Sequence, residues 1–496
     1  MKKAIVTYKD WMEMHPWHTK ADETVLYYVK LANKLTDTIL KKKYPTQFAV
    51  DSGCAFAAYL QDVVSGSPLF GTMRSVYINK YSDRLPMLEN ESVRYYNDEV
   101  NYSDVAFLLW HFSSQYNKDV FVSPTMVREQ KELLGELTQI LEEAYEDAPE
   151  SEDLNSFLRM EGIDQPTFND IVTRMVYLNK QCYLNAAGAN YELKQYADGM
   201  RAEEEKLDEA TYFFFLQEYA NLMLFNQPLS FCSLYTNEFL AEIIGKDHRA
   251  YHQVLSVRRD KLTTFYAFIK ETEEFVILEH PESKVQVRVE KDSLPEKYFT
   301  DKPYWLCELV QYGDNYRCVS DINYPAEHLE EETEKQKEIV KHLFDSATER
   351  KEYLKKMTDA FDKMYNGKPF IIVSDIDKAH DKINEFFTQN SLDNKLITDS
   401  TDDESGNILI FMNPEEGLEI YPTHLIFGKT EVKGAGESLP YPYLTEMLTD
   451  NVFSSRFIVQ LLKQGWIRWS DPEDENILKF NIDFLLDYFK CEPSLI

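Results

Sequence analysis

The sequence has no apolar run of membrane length and no paired cysteine motif. Its strongest apolar stretch, YFFFL at 212–216, is far shorter than the roughly 20 residues that a helix needs to cross a bilayer. The opening MKKAIVTYKDW has lysines but lacks the apolar segment of a signal peptide. We therefore expect a soluble, cytoplasmic protein with no membrane partner.

The cysteines exclude two common frameworks. None of the six forms a CxxC pair, and they lie far apart in the chain: Cys54, Cys182, Cys232, Cys307, Cys318 and Cys491. Several have apolar neighbours, as small buried residues do. Neither a disulfide scaffold nor a cysteine zinc site is indicated.

The familiar catalytic and cofactor motifs are also missing. The chain contains no Walker loop, GxGxxG, GxSxG or HExxH pattern. We therefore expect no bound cofactor. A nucleophile and its partners that meet only in the folded chain remain possible, because such triads are assembled in space.

Acidic residues are abundant. The chain carries 85 acidic and 53 basic residues, for a formal net charge of −32. This charge favours solubility and opposes binding to nucleic acid or anionic lipid. The acidic runs are spread along the chain, which is typical of solvated surface rather than of a mimic of DNA.

Aromatic residues make up 14% of the chain, with 32 tyrosines and 30 phenylalanines. Large rings bury much apolar area, and tyrosine suits positions that are half exposed. A large aromatic core is the simpler interpretation, and an aromatic recognition surface is the alternative.

A chain of 496 residues predicts more than one domain. We predict an α+β multidomain protein with an all-helical N-terminal half at 1–255. A small antiparallel β sheet or barrel follows at 260–322, and a helical connector with a compact α+β domain occupies 325–496.

In the first block, apolar residues recur with helical spacing. The segment after Asp51 and Ser52, either of which can cap a helix, is apolar on every face and predicts a central helix that Gly66 ends. Ser103 is predicted to cap the next helix, Pro124 to begin another, and the region from Gly188 to Gly199 to be irregular.

The middle block alternates apolar and polar residues, as in Val285, Val287 and Val289. Alternation of this kind predicts strands and hairpins. Small barrels often bind nucleic acid, but the many glutamates here disfavour that function, so a structural or protein-binding sheet is the better interpretation.

The last block mixes strands and helices. Two amphipathic helices are predicted at 327–344 and 347–365, and a strand at PFIIVS precedes a helix capped by Asp375. A hairpin is predicted around Gly417, a helix that Gly465 ends follows it, and Trp466–Trp469 is predicted to be an edge strand.

A polar set in the helical block is the candidate site. It comprises Asp62, Glu99, Asp104 and His111, with Asp98 beside them. Carboxylates and an imidazole inside a helical bundle can form a metal site or an acid–base pair. Alternatively, these charges cap helices and loops, and Asp62 is satisfied by a backbone N–H or a tyrosine hydroxyl. The Glu-x-x-His pair of di-iron bundles is absent, which favours the second interpretation.

Two further clusters have structural interpretations. His15 and His18 alternate with Trp11 and Trp17, and packing of the tryptophans explains this arm as well as metal binding does. His248 and His252 lie near several arginines, for which ion pairs are expected in so acidic a chain.

Five stretches of the chain have a recognisable pattern: KDWMEMHPW, LYYVKLAN, CAFAAYLQDVVSG, YYNDEVNYSDVAFLLWHF and FMNPEEGLEI. They resemble an uncharacterised family of Bacteroidetes proteins. The resemblance implies a bacterial, intracellular, single-chain protein, and it supplies no catalytic residues because the family's function is unknown.

The sequence therefore favours a non-catalytic protein-interaction or regulatory module, whose partner is a protein rather than nucleic acid. The alternative is a metal-assisted hydrolase that uses the polar set. The sequence does not determine the oligomeric state.

Overall fold

The computed structural model describes most of the chain, with gaps. The described residues are 5–66, 69–81, 95–96, 98–118, 120–123, 130–203, 209–257, 264–280, 284–294, 304–322, 347–401, 406–423, 426, 443–450, 452–469 and 472–490. The predicted start at Pro124 and the predicted helix at 327–344 lie outside them.

The N-terminal half is helical, as the sequence predicts. Its helices are α1 (Tyr8–Met14), α2 (Glu23–Lys41), α3 (Thr46–Val64), α4 (Leu69–Tyr81), α5 (Tyr102–Tyr116), α6 (Lys131–Tyr145), α7 (Asp153–Leu158), α8 (Phe168–Lys180), α9 (Ala186–Glu203), α10 (Glu209–Phe225), α11 (Thr236–Ile244) and α12 (Tyr251–Ser256).

Helix α3 is the centre of this half. Every residue from Ser52 to Asp62 is buried, because the helix is apolar on all faces and its neighbours cover it. Helix α2 packs closely along α3. A Cβ atom built on Gly53 would lie 2.3 Å from Thr36 Oγ1 and 2.9 Å from the backbone oxygen of Ala32. Glycine at this position therefore permits the close approach of the two helices.

Three local predictions for this half are wrong. Helix α3 begins at Thr46, so Asp51 and Ser52 lie inside it. Helix α5 begins at Tyr102 after Asn101, one residue before Ser103. The region from Gly188 to Gly199 is helical in α9, because packing against α5, α8 and α10 outweighs the low helix propensity of its glycines.

A small β module follows, with strands β1 (Thr264–Glu271), β2 (Phe275–Glu279), β3 (Gln286–Glu290), β4 (Tyr304–Tyr312) and β5 (Asn315–Ile322). They pair in the order β1-β2-β3-β5-β4, and β4 also pairs with β1, which gives a barrel-like sheet. The pairings are antiparallel except for one parallel contact between β3 and β5. Val287 and Val289 are buried and alternate with the exposed Gln286 and Arg288, as the alternation predicts.

The last block is α+β, as predicted. It contains α13 (Ala347–Met364), β6 (Phe370–Val373), α14 (Ile376–Asn390), β7 (Ile397–Asp399), β8 (Ile408–Asn413), β9 (Gly417–Pro422), α15 (Leu444–Thr449), α16 (Ser455–Gln464), α17 (Pro472–Phe480) and α18 (Ile482–Lys490). Its sheet has the order β6-β8-β9-β7.

The turn and cap predictions for this block are mostly confirmed. Asp375 accepts a hydrogen bond from the backbone N–H of Lys378 at the start of α14. Gly417 opens β9 with a positive φ of 110°, and Gly465 ends α16 in the left-handed conformation. The predicted edge strand at Trp466–Trp469 is wrong, since the described residues there form only a single bridge between Arg468 and Tyr443.

The final helices contribute to the same apolar core as the N-terminal half. Phe484 of α18 lies against Tyr77 at 5.5 Å, Tyr81 at 5.6 Å and Trp110 at 6.0 Å between ring centroids. A separate core lies between α13, α14 and the β6–β9 sheet. Within the described part of the chain, no helix has the length and apolarity needed to cross a bilayer.

Candidate functional site

Asp62 lies near the end of α3, and its carboxylate is buried. It accepts hydrogen bonds from the backbone N–H groups of Leu69 (3.3 Å) and Phe70 (2.8 Å), which begin α4. It also accepts one from the hydroxyl of Tyr183 at 2.7 Å. Burial raises the pKa of Asp62 to about 7, although these three donors oppose the shift. The side chain therefore joins α3, α4 and the loop after α8.

Asp104 lies in the first turn of α5, where a carboxylate also complements the helix dipole. Its Oδ2 accepts hydrogen bonds from the hydroxyls of Tyr59 (2.9 Å) and Tyr95 (3.0 Å) and from the amide of Asn101 (3.4 Å). Burial raises the pKa of Asp104 to about 6. Tyr95 in turn lies under the guanidinium of Arg74, 3.3 Å from its ring centroid.

Glu99 does not join this buried set. It is exposed, as is Asp98. Its backbone oxygen accepts a hydrogen bond from the Asn101 side chain at 2.9 Å. The Glu99 side chain therefore differs in burial from Asp62 and Asp104, the carboxylates with which the sequence grouped it.

His111 lies on α5 and is buried. Its Nε2 is 2.8 Å from the backbone oxygen of Leu184, and its Nδ1 is 2.8 Å from the hydroxyl of Tyr488. Because a carbonyl oxygen can only accept, Nε2 carries the proton and Nδ1 accepts from the tyrosine. Burial lowers the pKa of His111 to about 4, which favours this neutral imidazole.

The three buried groups are linked through tyrosines and one loop. Tyr183 binds Asp62, and the next residue, Leu184, binds His111. Tyr59 lies on α3, one turn before Asp62, and binds Asp104. The sequence predicted a backbone N–H or a tyrosine hydroxyl as the partner of Asp62, and the structure shows both kinds. It did not identify which tyrosines would bind the buried groups, namely Tyr59, Tyr95, Tyr183 and Tyr488, and the abundance of tyrosine was the one signal that pointed to them.

Two buried glutamates follow the same pattern elsewhere. Glu308 of β4 accepts a hydrogen bond from Asn221 of α10 at 2.7 Å. Glu419 of β9 accepts from Asn413 (2.7 Å), Tyr421 (2.7 Å) and Ser454 (2.8 Å). Each of these buried carboxylates joins separate elements of the fold through neutral donors.

The N-terminal arm packs onto the helical half. The ring of Trp11 stacks on His15 with centroids 4.1 Å apart and on Tyr28 at 5.6 Å. His15 Nδ1 is 2.7 Å from the backbone oxygen of Trp11, and burial lowers the pKa of this histidine to about 3. The packing interpretation of the arm is confirmed.

The basic patch after α11 makes local contacts. His248 Nε2 lies 2.8 Å from the backbone oxygen of Arg159, and Arg249 lies 3.8 Å from the carboxylate of Asp164. Two of the arginines near these histidines in the sequence, Arg258 and Arg259, lie outside the described residues.

No three histidine, cysteine, aspartate or glutamate side chains converge in metal-binding geometry within the described part of the chain. What the buried set can do chemically is accept hydrogen bonds from tyrosines, amides and helix ends. Such contacts fix how helices are packed, since a buried polar group that loses its partner costs stability.

Comparison with known protein families identifies a family for this chain. A family described as "Protein of unknown function (DUF3843)" matches residues 6–292, from the N-terminal arm through β3. No curated protein and no solved structure matches the chain. Because the match spans more than half of the sequence, the chain belongs to this family of proteins of unknown function.

Proposed function

We propose that this protein is a cytoplasmic, non-catalytic interaction or regulatory module that binds a partner protein. The proposal rests on the hydrogen bonds that the buried polar side chains make within the fold. Asp62, Asp104 and His111 are used as hydrogen-bond partners that hold helices together.

A metal-assisted hydrolase would need these groups to face a substrate or a metal ion. Both ring nitrogens of His111 are already engaged, by Leu184 and Tyr488. Glu99 is exposed, whereas Asp62 and Asp104 are buried. A general base needs a lone pair within hydrogen-bond reach of the substrate proton, and His111 has none to offer in this arrangement.

The charge of the molecule supports a protein partner over nucleic acid. A net charge of −32 repels phosphate backbones and favours association with a basic surface. Complementary charge raises the rate of encounter and excludes partners of like charge. The partner is therefore expected to be a basic protein.

Two measurements on the purified full-length chain test the proposal. The first is elemental analysis by mass spectrometry, combined with thermal melting with and without EDTA. The second identifies a partner by crosslinking in the native cell, then measures the affinity of the two purified proteins by calorimetry. We expect a reconstituted complex whose affinity is the same for the wild type and for Asp62→Asn.

A stoichiometric metal whose removal lowers the melting temperature would overturn the proposal. So would a hydrolytic activity that His111→Gln abolishes while the variant stays folded. Failure of every crosslinked candidate to bind after purification would also count against an interaction module.

A further inference from the structure

A polar cleft of about 780 Å³ lies where the helical half meets the β module. The helical side supplies Asp164, Phe168 and Arg249, and the β side supplies Asp292, Tyr312 and Arg317. Its volume falls within the range of about 300–1,000 Å³ that is common for ligand sites, and such sites favour junctions between structural units.

The base of the cleft is held in place by contacts between the two sides. The rings of Phe168 and Tyr312 meet edge to face with centroids 5.5 Å apart. The Arg317 guanidinium lies 5.2 Å from the Phe168 ring centroid. The backbone N–H of Gly313 donates to Ser256 Oγ at 3.1 Å. The cleft therefore has a preformed floor, which reduces the entropy lost when a ligand binds.

The charges at the floor and at the rim differ. Arg317 is only 12% exposed and is paired with Glu290 and with Asp292, the latter at 3.1 Å. At the rim, Asp164 is fully exposed and Asp292 is 72% exposed. The Asp164–Arg249 distance of 3.8 Å is too long for a hydrogen bond. Two exposed carboxylates therefore stand on opposite sides of the opening, Asp164 near Arg249 and Asp292 paired with Arg317.

The lining narrows the class of ligand. Sites for small molecules are mostly apolar and enclose their ligand, whereas this cleft is open and has mostly polar and charged side chains around the rings of Phe168 and Tyr312. An open polar cleft suits a segment of polypeptide, which presents amides along its length. Because the rim is net acidic and the whole chain carries −32, the segment should be basic.

We infer that this cleft receives a lysine- or arginine-bearing segment of the partner protein, with Asp164 and Asp292 as the groups that recognise its cations. The inference rests on the proposed function, since it names the surface and the chemistry through which that function operates.

The test is selection from a random peptide library on the full-length chain, followed by fluorescence anisotropy of synthesised peptides. We expect enriched peptides to carry lysine or arginine. Asp164→Lys combined with Asp292→Lys should weaken their binding about tenfold or more, because repulsion replaces attraction at the rim. A second pair, Asp164→Asn with Asp292→Asn, should weaken binding by less and preserves side-chain shape near Arg317.

The matched control is Glu142→Lys combined with Glu352→Lys, which reverses two exposed charges outside the cleft lining. It should bind the peptides as the wild type does. The inference is overturned if no basic peptide is enriched, if acidic peptides are enriched, or if the cleft pair and the control pair bind equally. If a purified partner protein binds the cleft double variant and the control double variant with equal affinity, the cleft is not its binding site. The proposed interaction function would still stand.

Discussion

Asp62, Asp104 and His111 show how single polar residues are used inside this protein. Each lies in the apolar interior, and each accepts or donates hydrogen bonds across two or more elements. Burying such groups costs free energy unless their hydrogen bonds are made, so the arrangement tolerates few alternatives. These residues therefore specify which helices meet.

Asp62 should make stability depend on pH in a defined direction. Its folded-state pKa of about 7 lies above the usual value of 3.8, so the folded chain binds this proton more tightly than the unfolded chain does. Its contribution to stability is therefore present at low pH and is lost as pH rises through about 7.

The check compares urea unfolding of the wild type and Asp62→Asn from about pH 5 to about pH 8. The wild type should gain stability relative to the variant as the pH is lowered, because the variant has no proton to bind at this position. Parallel pH profiles for the two proteins would show that the carboxyl does not titrate in this way.

His111 and Tyr488 should be energetically coupled. His111 Nδ1 and the Tyr488 hydroxyl lie 2.8 Å apart inside the core. His111 also bonds to the backbone oxygen of Leu184, and the Tyr488 hydroxyl also accepts from the Gln115 side chain. We expect His111→Leu and Tyr488→Phe each to lower the free energy of unfolding by about 1–3 kcal/mol. The double variant should lose less than the sum, which chemical denaturation of all four proteins would measure. Strictly additive losses would mean that the two residues act independently.

The acidic residues and the histidine of this network could be predicted from the sequence, but the tyrosines that bind them could not. Asp62, Asp104 and His111 stood out because polar residues interrupt an apolar helical pattern. Tyr183 is 121 positions from Asp62, and Tyr488 is 377 positions from His111. No local pattern encodes contacts over such separations, because they depend on how the helices are placed in space.

Among the helices, strands and turns, the features that the sequence predicted correctly are mostly those set by local interactions of the backbone and nearby side chains. The helix start at Asp375, the hairpin at Gly417 and the helix end at Gly465 follow from side-chain capping and positive φ. The helix over Gly188–Gly199 and the missing strand at Trp466–Trp469 depend on tertiary packing, which overrides local preference. The cleft could not be predicted from the sequence either, because its lining residues come from both the helical half and the β module.

The close contact of α2 and α3 should make Gly53 intolerant of a side chain. Gly53→Ala is expected to cost about 1–3 kcal/mol, since the new methyl would overlap Thr36 and the backbone of α2. Gly135→Ala in the exposed part of α6 is the matched control, because nothing lies within 4 Å of its Cβ position. That control should be neutral or stabilising by up to about 1 kcal/mol. Equal melting temperatures for the two variants would contradict the packing described here.

Across the whole molecule, α18 joins the last block to helices α4 and α5 of the N-terminal half. Besides Phe484 and Tyr488, Asp487 of α18 pairs with Lys80 of α4 at 2.8 Å. The predicted division at residue 325 stays a proposal, and the shared core suggests that the final helices fold together with the N-terminal half.

Phe484→Ala tests this shared core. Removing a buried phenylalanine should cost about 3–5 kcal/mol. Hydrogen exchange should then quicken in α5 and α4 as well as in α18, because Phe484 contacts Trp110, Tyr77 and Tyr81. Faster exchange confined to residues 444–490 would instead show that the end of the chain is a separate cooperative unit.

Interior polar residues stabilise this fold, and we propose that the partner binds at the surface. The most direct measurement is the affinity of a selected basic peptide for four variants, at a temperature where all are folded. The core variants Asp62→Asn and His111→Gln should melt earlier but bind as the wild type does, whereas Asp164→Lys and Asp292→Lys should melt normally and bind weakly. Loss of binding in the folded core variants, with the cleft variants unaffected, would contradict the claim.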